Sequence, residues 1–146
     1  MRITQEADYA LRIVSLLAGR NEIVGAPAVS EAVAVPPRFA LKILRKLSME
    51  GLVQASRGAS GGYSLLVDPR ALTVRRVIEI IDGPIEISKC LSEGHTCLNN
   101  PVKTYCRFHN LFDTLNQQLV ERLDRITIAM MVDGELPLPD LLDTVK

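Results

Sequence analysis

Three cysteines, Cys90, Cys97 and Cys106, fall within 17 residues of a 146-residue chain that has no others. Six residues separate the first pair and eight the second, and His109 follows Cys106 by three. An odd, clustered set of thiols does not suit a disulfide framework, which needs pairs and an oxidising compartment. Thiolates are soft donors for iron–sulfur clusters, zinc or copper(I), and they are also the reactive form in thiol redox chemistry. Spacing alone therefore says "metal or redox site". A zinc site completed by His109 and a cluster-free thiol switch both stay open on this ground.

A second group of residues offers charge. The chain as a whole is neutral, with 17 Lys and Arg against 17 Asp and Glu. The balance is uneven: residues 1–72 carry nine basic against six acidic groups, and residues 73–146 carry eight against eleven. Within residues 36–57, Arg38, Lys42, Arg45, Lys46 and Arg57 face only Glu50. A local basic patch is what phosphate binding requires, whatever the whole-chain sum. No glycine-rich phosphate loop ending in Lys-Ser/Thr, no nucleophile elbow and no His-Glu-x-x-His occurs, so an enzyme is not expected.

Positioning these groups needs a scaffold. Residues 5–18 have apolar residues at helical spacing (Ala7, Ala10, Leu11, Val14, Leu17, Ala18), with Thr4 as N-cap, Glu6 and Asp8 in the first turn and Gly19 as a stop. Pro27 opens a short second helix over 27–34. After the turn Val35-Pro36-Pro37, a third helix should run to about Glu50, with Ala40, Ile43, Leu44 and Leu47 inward and Arg38, Lys42, Arg45 and Lys46 outside that stripe. Residues 52–56 and 63–67 then pair as a hairpin around the glycine-rich turn Arg57-Gly58-Ala59-Ser60-Gly61-Gly62. Thr73 caps a fourth helix that Gly83-Pro84 stops. Residues 84–99 lack periodicity and hold Cys90 and Cys97.

From Asn100-Pro101 to about Met131, Phe108, Leu111, Phe112, Leu115, Leu119, Leu123, Ile126 and Met130 suggest one helix of some 30 residues. Cys106 and His109 would share one face of it. Its apolar stripe exceeds what so small a domain can cover, which implies a partner helix.

Three helices and a hairpin make a winged helix-turn-helix, in which the third helix enters the major groove with its N-terminal part. Arg38 and Lys42 could then reach base edges or phosphates, and Arg45 and Lys46 phosphates. Arg57 and Gly58 would bring the wing to the minor groove.

The opening Met1-Arg2-Ile3-Thr4-Gln5-Glu6-Ala7-Asp8-Tyr9-Ala10-Leu11-Arg12 resembles that of the Rrf-two family of bacterial regulators. So do Leu47-x-x-x-Gly51-Leu52-Val53, the wing motif Arg57-Gly58-x-x-Gly61-Gly62-Tyr63, and Leu72-Thr73-Val74-x-x-Val77-Ile78. The resemblance spans about residues 1–130. It implies a dimeric winged-helix transcription factor with crossed C-terminal helices, and in IscR-like and NsrR-like members an iron–sulfur cluster. Three cysteine ligands need a fourth. His109 matches the Cys-x2-His ending of IscR-like members, which carry a 2Fe–2S cluster. Asp8 matches the aspartate that reaches a 4Fe–4S cluster from the other subunit in NsrR-like members. His95 is a weaker third choice. The spacings of six and eight exceed those usual in both groups, so cluster type and fourth ligand stay open. Leu41-Lys42 also replaces the Glu-Gln of IscR-like recognition helices, which implies a different operator.

The expected fold is thus mainly α with a small β-hairpin: a winged helix-turn-helix over 1–83, a cluster-binding loop over 84–100, a dimerisation helix over 101–132 and a flexible tail over 133–146. The expected function is a homodimeric, cytoplasmic regulator that binds a palindromic operator in double-stranded DNA under control of an iron–sulfur cluster. A zinc- or thiol-based regulator and, less favoured, a cluster carrier without a DNA role are the alternatives. No membrane association is expected.

Overall fold

The computed structural model describes residues 2–134. The elements run α1 (Gln5–Arg20), α2 (Ala26–Ala32), α3 (Pro37–Met49), β1 (Val53–Ser56), β2 (Gly62–Leu65), α4 (Val74–Asp82), α5 (Arg107–Arg125) and α6 (Ile128–Asp133). Single 3-10 turns lie at Lys89–Leu91 and Lys103–Tyr105.

Thr4 caps α1 as expected: its hydroxyl accepts from the Ala7 amide at 3.2 Å. The helix runs past Gly19, because Asn21, at φ 50°, takes the left-handed closing position. Ala7, Ala10, Ile13, Val14 and Leu17 are its buried face. Ala26 opens α2, so Pro27 stands second rather than first. The buried Ser30 hydroxyl donates to the Val35 carbonyl at 2.6 Å and closes the helix-turn-helix corner. Ala34 there holds φ 52°, a left-handed conformation that costs a non-glycine residue about 1 kcal/mol.

Pro37 is the first residue of α3, not the end of the turn before it. Its prescribed φ suits that position, where the missing N–H has no helical partner to lose. Ala40, Ile43, Leu44 and Leu47 face the core. The antiparallel hairpin pairs Val53 with Leu65 and Ser56 with Gly62. Val24 joins it as an isolated bridge: its amide donates to the Tyr63 carbonyl at 2.8 Å, and the Tyr63 amide donates back at 2.9 Å. One hydrophobic core gathers α1, α3, α4 and Ile128 of α6.

The single long C-terminal helix is a correction. Asn100 Oδ1 accepts from the Val102 amide, so Asn100-Pro101 makes a side-chain-closed turn instead of a helix start. The helix begins after Cys106 and stops at Arg125. Ile126 and Thr127 are extended. The Val74 amide donates to the Ile126 carbonyl and the Ile128 amide to the Leu72 carbonyl, both at 2.8 Å, which fixes a Thr73–Thr127 bridge. Thr127 then caps α6. Three β-branched residues in a row have modest helix propensity, and two tertiary backbone hydrogen bonds outweigh it.

The stripe on α5 also divides. Leu119, Val120 and Leu123 pack on the chain's own core, whereas Phe108, Leu111 and Leu115 are exposed. Of the expected tail, Asp133 ends α6 and Gly134 takes its left-handed cap; the rest lies outside the described residues.

Candidate nucleic-acid interface and cysteine loop

The five basic residues of the 36–57 window have distinct surroundings. Arg38 and Arg45 are exposed on α3 and have no charged or hydrogen-bonding partner among the described residues. The Lys42 ammonium pairs with Glu6 of α1 at 2.8 Å. Lys46 turns inward, and its ammonium donates to the Ile81 carbonyl of α4 at 2.9 Å. That carbonyl lies in the last turn of α4, where a cation is favoured by the helix dipole. Lys46 is therefore an α3–α4 tie, which sequence position alone did not reveal.

The wing is held by close backbone approach. A Cβ on Gly62 would meet the Val24 carbonyl carbon at 2.6 Å and the Gly25 nitrogen at 2.8 Å. One on Gly61 would meet the Gly58 carbonyl oxygen at 2.9 Å. Gly58 itself has φ 110°. The glycines are therefore required by the turn, and they leave Arg57 exposed at its start.

Cys90, Cys97 and Cys106 are all free thiols and half-buried. The Cys90 Sγ lies 3.2 Å from the Ser88 hydroxyl. Cys106 occupies the N-cap of α5 and His109 its first turn, so the two stand at one helix end. His109 Nδ1 is buried and has no hydrogen-bond partner among the described residues. A buried ring nitrogen left unsatisfied costs free energy, so a group that engages it is favoured. His95 is exposed. Asp8 forms an ion pair with Arg12 at 2.6 Å. Among the described residues, no three Cys, His, Asp or Glu side chains are gathered closely enough to hold a metal ion. The donor chemistry suits an iron–sulfur cluster, and so does the orphaned His109 nitrogen. Bringing all three thiols to one centre would require the loop to close.

The stretch from the last turn of α4 towards these cysteines touches three other helices. The Ile81 carbonyl holds Lys46 of α3. The Asp82 carboxylate accepts from the Thr4 amide at 3.1 Å and from the Thr4 hydroxyl at 2.5 Å, at the start of α1. Gly83 bends the chain at φ 84°. Asn116 of α5 then grips the loop: its amide nitrogen donates to the Ile85 carbonyl at 2.9 Å, and its oxygen accepts from the Ile87 amide at 3.0 Å. Further on, the Ser92 hydroxyl donates to Glu86, and Lys103 donates to the Ser92 carbonyl. Sequence reading missed Asp82, Thr4 and Asn116 in these roles. One available signal was Asp82, a carboxylate in the last turn of a helix, where the dipole disfavours it unless something else holds it.

No helix among the described residues is long and apolar enough to cross a membrane. A family model, Rrf2, described as an iron-dependent transcriptional regulator, matches residues 3–134. The chain is 32% identical over 148 residues to an rrf2-like helix-turn-helix regulator of Rhodobacter capsulatus, covering 97% of this chain and 99% of that one. It is 30% identical to the regulator IscR of Vibrio cholerae, covering 93% and 78%. Among solved structures it resembles CymR, the global cysteine regulator of B. subtilis, with TM-score 0.73 and 24% identity over 92% of this chain and 98% of that one. It also resembles T. potens IscR, with TM-score 0.72 and 20% identity over 94% and 90%. These last two likenesses establish the winged-helix fold.

Proposed function

Since the chain belongs to the Rrf2 family and is a DNA-binding transcriptional regulator, we propose that it binds a palindromic operator as a homodimer, under the control of an iron–sulfur cluster held by the cysteine loop. Arg38, Arg45 and Arg57 are the contacts to DNA from α3 and the wing, with the Gly58 turn letting the wing backbone approach the duplex. Lys42 joins them when Glu6 releases it. The exposed Phe108, Leu111 and Leu115 of α5 form the dimer seam, because an isolated helix with such a stripe is otherwise left wet.

Cys90, Cys97 and Cys106 would hold the cluster. For the fourth position the buried Nδ1, partnerless among the described residues, favours His109; Asp8, half-exposed in a surface pair with Arg12, is the alternative. When bound, a cluster supplies a redox-active centre whose presence depends on iron supply and on oxidants. The chain's own part is mechanical. Closing the loop on three thiols pulls on residues 83–87. The Asn116 clamp, the Asp82–Thr4 cap and the Lys46–Ile81 tie carry that displacement to α5, α1 and α3. Half-site spacing in a dimer is sensitive to small rotations of the DNA-binding units, so affinity follows.

The observation that carries the cluster reading is the orphaned His109 nitrogen at the helix end that also bears the half-buried Cys106 thiol, below a loop that supplies two more half-buried free thiols. The test is anaerobic reconstitution followed by visible absorbance, iron and sulfide analysis, with Cys97→Ala, His109→Ala and Asp8→Ala in parallel. Colour with stoichiometric iron and sulfide, lost in Cys97→Ala, supports it; a colourless protein with stoichiometric zinc overturns it. A second reading, a cluster-free thiol switch, draws on the separation of the three cysteines. It predicts a colourless protein whose operator affinity responds to a thiol oxidant.

A further inference from the structure

Residues of an α-helix advance by about 100° each, so positions three, four and seven apart share a face. On α3 the buried Ala40, Ile43, Leu44 and Leu47 define the core side. The opposite side presents Arg38, Leu41, Lys42, Arg45 and Met49, all exposed. Lys42 is engaged by Glu6. On this face the cations without a partner among the described residues are thus Arg38 and Arg45, and Leu41 lies between them, three residues from one and four from the other.

Leu41 is 36% exposed and takes no part in the core cluster. Met49, about two turns further along the same face, is 88% exposed. Leucine gives nothing to a phosphate contact. On the floor of a major groove, the one apolar group a base presents is the 5-methyl of thymine, whereas guanine presents two acceptors that fit an arginine fork. Unpaired arginines on both sides of the leucine complement a polyanion and disfavour a purely apolar partner. The N-terminal part of such a helix is the part that reads bases, and Arg38 is the second residue of α3. Leu41 lies about 4.5 Å further along the helix axis, close to the ~3.4 Å spacing of adjacent bases.

Resting on the DNA-binding reading above, we propose that Leu41 is a specificity-determining residue that packs on a thymine methyl group next to a guanine read by Arg38. Each half-site then carries a thymine adjacent to or one step from that guanine. Arg45, two turns into the helix, takes backbone phosphate.

The test starts by selecting bound duplexes from a random pool with the full chain. Each thymine of the winning half-site is then replaced in turn by deoxyuridine, which lacks only the methyl, and affinity is read by fluorescence anisotropy. At one position per half-site, wild-type protein should weaken about fourfold, the equivalent of the roughly 0.8 kcal/mol expected for one buried methylene-sized group. Leu41→Ala should bind the thymine and uracil duplexes equally. Its affinity for a scrambled duplex at low salt should match wild type, which also verifies that the variant folds. The inference is overturned if no thymine is sensitive, or if the penalty persists in Leu41→Ala. It is also overturned if Leu41→Ala changes self-association instead, which would assign the face to a second copy of the chain. If no duplex is enriched and no salt-dependent binding occurs, the DNA-binding reading fails first and takes this one with it.

Discussion

Arg45 and Lys46 are neighbours of equal charge, yet one points to solvent and the other is tied to α4. Neutralising each should leave a different signature. On the proposed homodimeric DNA-binding reading, Arg45→Ala would remove one phosphate contact per protomer and two per dimer. At about 0.9 counterions released per phosphate, the log–log dependence of affinity on salt becomes shallower by about 1.8. Between about 50 and 200 mM salt, a fourfold range, this difference amounts to about twelvefold in relative affinity. Lys46→Met keeps the length and the apolar stem and deletes the donor. The salt slope should then match wild type, while the folded state loses the hydrogen bond to the Ile81 carbonyl. Partial exposure reduces the value of that charge-assisted bond to about 1 kcal/mol. In a chain of this size, that lowers Tm by roughly 3 °C. Anisotropy titrations across the salt range, with thermal melts of the same preparations, read both quantities. Equal slope changes in the two variants would refute the reasoning, as would a slope change in Lys46→Met without any loss of stability.

Three other perturbations follow from the same geometry. Gly62→Ala forces its methyl into the Val24–Gly25 backbone and breaks the two hydrogen bonds of the Val24–Tyr63 bridge; urea unfolding should show a loss of about 2–3 kcal/mol, with DNA affinity falling alongside. Glu6→Gln frees the Lys42 ammonium from its 2.8 Å pair. Affinity for a duplex should rise by roughly threefold, with a slope steeper by about 0.9 per protomer, at a stability cost of less than about 1 kcal/mol. Asn116→Ala removes both hydrogen bonds that grip Ile85 and Ile87; limited proteolysis should cut the 84–100 loop faster, and operator affinity should respond less to the state of the cysteines. An unchanged cleavage rate would mean the clamp does not hold the loop.

Local rules were enough for much of this molecule. Thr4 and Thr73 cap their helices because a hydroxyl can satisfy an otherwise orphaned amide wherever the chain turns. The core face of α3 is set by the spacing of Ala40, Ile43, Leu44 and Leu47, and the hairpin by Gly61 and Gly62, which leave no room for a Cβ. The three thiols and the basic window were likewise visible as residue types. What spacing could not supply was competition between distant groups. Nothing near Lys46 announces a carbonyl 35 residues away, and nothing near Glu6 announces Lys42. The break at Ile126–Thr127 exists because backbone from Leu72 and Val74 outbids a helical continuation. That bond is long-range, so no periodicity records it. The division of the α5 stripe into a half packed on its own core and a half left exposed has the same origin. Residue chemistry determined which groups could bind DNA or metal; only the packing of α1, α4 and α5 around the loop decided which were already engaged and which stood free.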